Sequence, residues 1–321
     1  MKTVKFFSAL FAALLVFSCF SACEKTAEKA ADGALCVVAT IFPAYDFVKN
    51  VVGDAPVNVK LLLDNGVDLH SYQPTAEDIL AISSCDLFIY VGGESDKWVE
   101  DVVSNAINKE IRSVDMMEVL GDALKEEETV PGMQTEEDNE EEEEYDEHVW
   151  LSLKNAAKLI RSISRTLKDI DPENAEKYEE NASAYIEKIN ALDKRYKAVV
   201  DDAPVKTLVF ADRFPFRYLT DDYGLSYYAA FAGCSAETEA SFKTVTFLAN
   251  KTDELGLRAV MKTESSDGKI AETVVRNMRD KDMTILSLDS MQTTTAKDVK
   301  NGVTYLSVME SNLEVLKQAL K

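Results

Sequence analysis

Among 321 residues the chain has only two histidines, His70 and His148. His70 sits in the turn-rich run Gly66-Val67-Asp68-Leu69-His70-Ser71-Tyr72-Gln73-Pro74-Thr75, and His148 in Asp146-Glu147-His148-Val149-Trp150. Each therefore follows a carboxylate by one or two positions. Neutral imidazole is the commonest metal-binding side chain, and a nearby carboxylate is a natural partner for its other ring nitrogen. Either histidine alone reads more simply as a surface or satisfied core residue. As a pair, both outside any helix or strand pattern and both in the N-terminal half, they point to a metal site.

Such loops must be held by regular elements. Residues 35–41 form an apolar, β-branched run that reads as a buried strand, followed by a helix with Pro43 at its start and Phe47, Val48, Val51 and Val52 facing in. Residues 58–63, 87–91 and 111–114 read as further strands. Helices are expected from the Thr75-to-Asp78 capping box to residue 83 and over 98–107. Residues 153–170 give an amphipathic helix. A long helix over 172–200 follows, its apolar positions Ala175, Tyr178, Ala182, Tyr185, Ile189, Leu192, Tyr196 and Val199 spaced by threes and fours. Asp171 and Pro172 suit its start and Pro204 stops it. The same spacing fits a coiled-coil arm, but strand and helix patterns on both sides favour a strut. Beyond it, strands are expected at 207–210, 225–231, 258–262 and 284–288, and helices at 242–255, 270–279 and 304–320. Strands separated by helices make parallel βαβ units. The expected architecture is α/β: two lobes with parallel-type sheets flanked by helices, joined by one long backbone helix. Ligands of open α/β sheets bind beyond the carboxyl ends of the strands, so the cleft between lobes is the place to search.

The N-terminus sets the compartment. Lys2 and Lys5 precede an apolar run over 6–17, then Phe20-Ser21-Ala22-Cys23, the pattern of a secretory signal peptide too short to remain as a spanning helix. The tetrapeptide resembles a bacterial lipobox, with Phe20 where leucine is usual, which implies lipidation of Cys23. Residues 1–22 are then a signal peptide and 23–34 a polar tether, followed by an N-terminal lobe over 35–171, the linking helix over 172–203 and a C-terminal lobe over 204–321. Three cysteines remain, Cys36, Cys85 and Cys234, an odd number with no CxxC spacing. Cys36 and Cys85 lie in or beside apolar runs and read as small buried residues. The net charge of −22 is mostly local, since residues 126–147 hold 13 acidic residues and no Lys or Arg. That segment reads as a loop or disordered insert, either simply solvated or gathering cations beside His148. Such a balance argues against a nucleic-acid partner.

The histidine loops carry a resemblance. GVDLHSYQPTAEDI is similar to the Asp-Pro-His-x-Tyr-x-Pro-Thr loop of the substrate-binding lipoproteins of zinc and manganese ABC transporters, the cluster A-I family, with Leu69 in place of the proline. Asp146-Glu147-His148-Val149-Trp150 resembles their second loop, Asp-x-His-x-Trp. The resemblance extends over the mature chain, with the acidic loop where relatives carry a His- and acid-rich one. It implies that His70 and His148 are metal ligands. Relatives place a third histidine or a glutamate after the first strand of the second lobe, but Phe210-Ala211-Asp212-Arg213-Phe214 offers none. Asp212 is the nearest carboxylate, with an ion pair to Arg213 as its alternative role; Glu237 could replace it, with helix capping as the alternative. Asp289, after the 284–288 strand, matches the family's late aspartate, and Glu264 reads as a supporting acid.

Two histidines with one or two carboxylates form a mixed N/O site, at which Zn²⁺ is favoured over Mn²⁺ by the affinity order and Mn²⁺ gains from added carboxylates. The implied function is extracytoplasmic capture of Zn²⁺ between two lobes and delivery to an ABC permease and its ATPase, by a monomer anchored through lipid to the outer face of the cytoplasmic membrane. Alternatives are a Mn²⁺-specific binding lipoprotein and an adhesin-type lipoprotein with a structural metal. An enzyme is not expected: the chain has no HExxH, and catalytic zinc needs an open water position.

Overall fold

The computed structural model describes residues 34–134, 144–235 and 239–321; the expected signal peptide with Cys23, and Glu237, lie outside them. The apolar, β-branched runs of the N-terminal half form β1 (Leu35–Ala39), β2 (Val57–Leu61), β3 (Leu87–Tyr90) and β4 (Arg112–Asp115), paired in parallel in the order β2-β1-β3-β4. In the C-terminal half β5 (Thr207–Phe214), β6 (Ser226–Ala232), β7 (Ala259–Thr263) and β8 (Thr284–Leu288) repeat that order as β6-β5-β7-β8, again parallel. Parallel neighbours need crossover connections, and helices supply them. These are α1 (Phe42–Val52), α2 (Ala76–Ser84), α3 (Val99–Ser104) and α4 (Met116–Leu120) in the first half, then α5 (Leu153–Ile170) and α6 (Ala175–Asp202). The second half has α7 (Arg217–Tyr223), α8 (Phe242–Leu255), α9 (Lys269–Asn277), α10 (Ala296–Lys300) and α11 (Tyr305–Ala319). The two-lobed α/β architecture is thus the one expected.

Several elements lie where the periodicity puts them, among them α5, α8 and β8. β5 runs on to Phe214, beyond the expected 210, because pairing with β6 resumes at Arg213 after a register shift. The long helix also differs at its start. Pro172–Asn174 form a separate 3₁₀ turn, and α6 covers 28 residues, about 42 Å at ~1.5 Å per residue. Its stripe from Tyr178 to Val200 is buried in the apolar core, which disposes of a free coiled-coil arm. Two tyrosines tie it to both halves: Tyr185 Oη donates to Asp46 Oδ2 on α1 at 2.7 Å, and Tyr196 Oη donates to the Met309 carbonyl on α11 at 2.6 Å.

One apolar core runs from the first sheet past α5 and α6 to α11. A smaller one lies on the other face of the second sheet, so that along β5 Leu208 and Phe210 belong to the first core and Val209 and Ala211 to the second, the period-two alternation of a strand buried on both faces. Hydrogen bonds, those at Trp150 buried, fasten the lobes to each other. Trp150 Nε1 donates to the Ser290 carbonyl at 2.9 Å, Tyr305 Oη to the Trp150 carbonyl at 2.7 Å, and the Ala296 N–H to the Asp64 carbonyl at 2.6 Å.

Candidate metal centre

Between the lobes, His70, Ser95 and Cys234 follow β2, β3 and β6, as the sheet rule requires, while Asp146, Glu147 and His148 come from the segment between the acidic loop and α5. After β2 the chain makes a 3₁₀ turn, Leu69–Ser71, capped by Asp68, whose Oδ1 accepts the His70 backbone N–H at 3.0 Å. Buried Leu69 anchors the turn from below. The other oxygen of Asp68 reaches across the cleft to Arg213 Nη2 at 2.8 Å. Burial pushes the Asp68 carboxyl up, but Arg213 and His70 outweigh it and hold it below its usual value. Asp68 therefore serves the backbone of His70, and the ring is held by others: Nδ1 lies 2.9 Å from Ser95 Oγ and 3.5 Å from Glu147 Oε2. Gly93 makes this possible. It has a φ of +75°, and a Cβ there would lie 2.5 Å from Glu147 Oε1, the oxygen that accepts the Ser95 N–H at 2.9 Å.

His148 is fully buried ahead of the 3₁₀ turn Val149–Leu151. Asp146 Oδ1 accepts its backbone N–H at 2.8 Å and faces its Nδ1 at 3.1 Å. With both Nδ1 atoms engaged, the two Nε2 atoms face each other at 3.2 Å. A tetrahedral zinc ion with bonds of ~2.0–2.1 Å spans two nitrogens roughly 3.3 Å apart, so the pair already has the bite of one ion. Burial, and then the neighbouring His148, push His70 down to about 3, so its ring is neutral. Burial also presses His148 down, but Asp146 and Glu147 more than offset it and raise its value.

The second lobe adds a residue that the sequence did not single out. β6 ends at Ala232, and Gly233 and Cys234 turn toward His148. A Cβ on Gly233 would lie 3.0 Å from the Phe214 carbonyl and 3.1 Å from His148 Cε1, so glycine lets the two chains approach. The Cys234 Sγ and one ring nitrogen from each histidine all lie within 4.8 Å of one another. The Cys234 N–H donates to Glu127 Oε1 at 3.1 Å. Burial, and then Glu127, raise the Cys234 thiol well above its ordinary value. An isolated cysteine has no motif; the only signal was its place beside a glycine, just past a strand. Cys36 and Cys85 are free thiols in the first lobe, Cys85 fully buried and Cys36 partly so.

Two of the expected carboxylates, Asp212 and Asp289, are held by other partners. Asp212 Oδ2 accepts both the N–H and the hydroxyl of Thr263 at 2.9 Å, and its Oδ1 accepts the Arg213 N–H at 2.9 Å, so it ties β5 to β7. Arg213 pairs with Asp68, not with Asp212. Asp289 Oδ1 accepts the Met291 N–H at 2.7 Å in the turn after β8, where Met291 has a φ of 63°. Burial, and then Glu264, push Asp289 up to about 6. Glu264 accepts the Ser290 N–H and hydroxyl, each at 2.8 Å. Among the described residues the metal-capable cluster is His70, His148 and Cys234, and neither Asp212 nor Asp289 belongs to it.

The base of the acidic loop is fastened by an antiparallel bridge between Glu126 and Tyr145. Its described part lies along the second lobe, where the Gln134 N–H donates to the Ala230 carbonyl at 2.9 Å. Glu126, Glu127 and Glu128 line an open hollow of about 750 Å³ beside the cluster.

Comparison with known proteins gives consistent matches. The family model described as "Zinc-uptake complex component A periplasmic" (ZnuA) matches residues 37–319. The zinc-binding lipoprotein AdcA of Streptococcus pneumoniae is 34% identical over 324 residues, covering 99% of this chain and 61% of that protein. The high-affinity zinc uptake system protein ZnuA of Bacillus subtilis is 30% identical over 319 residues, covering 96% of this chain and 94% of its own. The crystal structure of the Zn(II)-bound ZnuA-like domain of S. pneumoniae AdcA has a TM-score of 0.71 at 31% identity, covering 90% of this chain and 99% of that one. The chain thus spans 61% of the length of the streptococcal relative. No described helix is long and apolar enough to cross a membrane.

Proposed function

The chain belongs to the ZnuA family of zinc-uptake components, and from that premise we propose that it is the extracytoplasmic binding component of an ABC importer, capturing Zn²⁺ between its lobes with His70 and His148. The observation that carries this reading is the pair of buried imidazoles with Nε2 atoms 3.2 Å apart and Nδ1 atoms already engaged by Asp146, Ser95 and Glu147. Each ring is thereby fixed in orientation with its free nitrogen toward the ion. Delivery goes to a membrane permease with its ATPase, and lipid on Cys23 keeps the monomer at the outer face of the cytoplasmic membrane. Transport requires that the ion leave without loss of the fold. Consistent with that, the hydrogen bonds joining Trp150, Ser290 and Tyr305 do not use the histidine ring nitrogens.

Isothermal titration of the full chain in detergent tests this reading. Wild type should bind one Zn²⁺ per chain, and His70→Ala and His148→Ala should each weaken binding by at least about 100-fold, more than the loss of a supporting residue. Removal of zinc by a chelator should leave the circular dichroism spectrum of the fold intact. Tight stoichiometric binding that survives both substitutions would refute the assignment.

A further inference from the structure

We infer that Cys234 is the third ligand of this zinc site and binds as a thiolate, so that the cargo is held by two imidazole nitrogens and one sulfur. The inference rests on the zinc-capture reading above and specifies its donor set. Three observations carry it. The first is position, since the sulfur and a nitrogen of each ring lie within 4.8 Å of one another. Around a tetrahedral ion with bonds of ~2.3 Å to sulfur and ~2.05 Å to nitrogen the S···N separation is roughly 3.6 Å, so a movement on the order of 1 Å in a turn completes the triangle.

The second is charge. Two neutral imidazoles leave the double charge of the ion uncompensated in a buried site, which is costly. Of the nearby carboxylates, Asp146 is engaged with His148, Asp68 with Arg213 and Asp212 with Thr263, while Glu147 gives one oxygen to the Ser95 N–H and keeps the other, which has no hydrogen bond among the described residues, 3.5 Å from His70 Nδ1 and so on the side of that ring away from the paired Nε2 atoms. Cys234 can supply the missing negative charge. As the S–Zn bond forms, the S–H bond breaks and its proton is released to solvent; no electron is transferred. The third is local construction. Without a side chain at Gly233, the segment carrying the sulfur comes against His148.

A thiolate suits zinc, whereas manganese prefers carboxylate and water, so Cys234 would set the site against Mn²⁺.

Cobalt reads the ligand directly. Co²⁺ is added to the full chain in detergent as wild type, Cys234→Ser and Cys36→Ser, and absorption spectra are recorded. Wild type and Cys36→Ser should show a near-ultraviolet thiolate-to-cobalt charge-transfer band beside the visible bands of bound cobalt. Cys234→Ser should lose the charge-transfer band, bind Zn²⁺ about 10–100-fold more weakly or worse, and change far less toward Mn²⁺. Visible bands without charge transfer in wild type, or a Cys234→Ser protein with wild-type spectrum and zinc affinity, would overturn the sulfur ligand and leave zinc capture standing. A wild type that binds neither cobalt nor zinc overturns both. Thermal melting of apo Cys234→Ser at the wild-type temperature separates ligand loss from unfolding; if it melts lower, the wild-type band decides alone.

Discussion

Gly233 sets how close the second lobe comes to His148, and it does so by lacking a side chain. A Cβ there meets the Phe214 carbonyl at 3.0 Å and the His148 ring at 3.1 Å, and one of these is backbone that cannot rotate away. Gly233→Ala should therefore displace the turn, weaken zinc binding by about 10–100-fold and cost on the order of 1–3 kcal/mol of stability as overpacking; titration calorimetry and a denaturant curve measure the two effects. His70 and His148 were legible as a pair because rare residues beside acids form a recognisable pattern. Cys234 was not, since its chemistry depends on which loops the fold brings together. Asp212 has the right type at a strand end, but its oxygens are taken by Thr263 on β7, and only the pairing of strands reveals that.

The end of β3 shows how one element positions the site from behind. Its two glycines, Gly92 and Gly93, both have positive φ and turn the chain so that Asp96 Oδ2 accepts the N–H groups of Val91 and Gly92 at 2.9 and 3.1 Å. Asp96 Oδ1 has no hydrogen-bond partner among the described residues, and burial pushes this carboxyl from 3.8 up to about 7. A carboxyl with a raised folded-state value holds its proton more tightly in the folded than in the unfolded chain. Its contribution to stability is complete below the ordinary carboxylate value and is lost as pH rises through about 7. Asp96→Asn should flatten the fall in stability between those limits, as read from denaturant unfolding at a series of pH values. Elements with a strong period, such as α5 and α8, were legible to the residue. The continuation of β5 was hidden because Asp212 and Arg213 interrupt its apolar run, and the short α7 carries too few turns to show a period.

At the scale of the whole molecule, two sheets of identical strand order share one core and one long helix, with Tyr185 and Tyr196 of α6 bonded into opposite halves. Such a frame should move little on loading. Small-angle scattering of apo and zinc-bound protein should give nearly equal radii of gyration, and a large difference would contradict a rigid spine. Rigidity also decides how the cargo can leave. Parting the lobes would break the bonds at Trp150, Tyr305 and Ala296, at about 0.5–1.5 kcal/mol each, and expose core besides. With the donor set proposed above, lifting the turn at Gly233 and Cys234 gives up the hydrogen bonds of Cys234 to Glu127 and of Arg213 to the Ser235 carbonyl, together with one bond to the ion. On the proposed reading the protein would work as a buckle does: the strap stays tight, a single tongue is raised, and whatever receives the ion would need a grip only on that tongue.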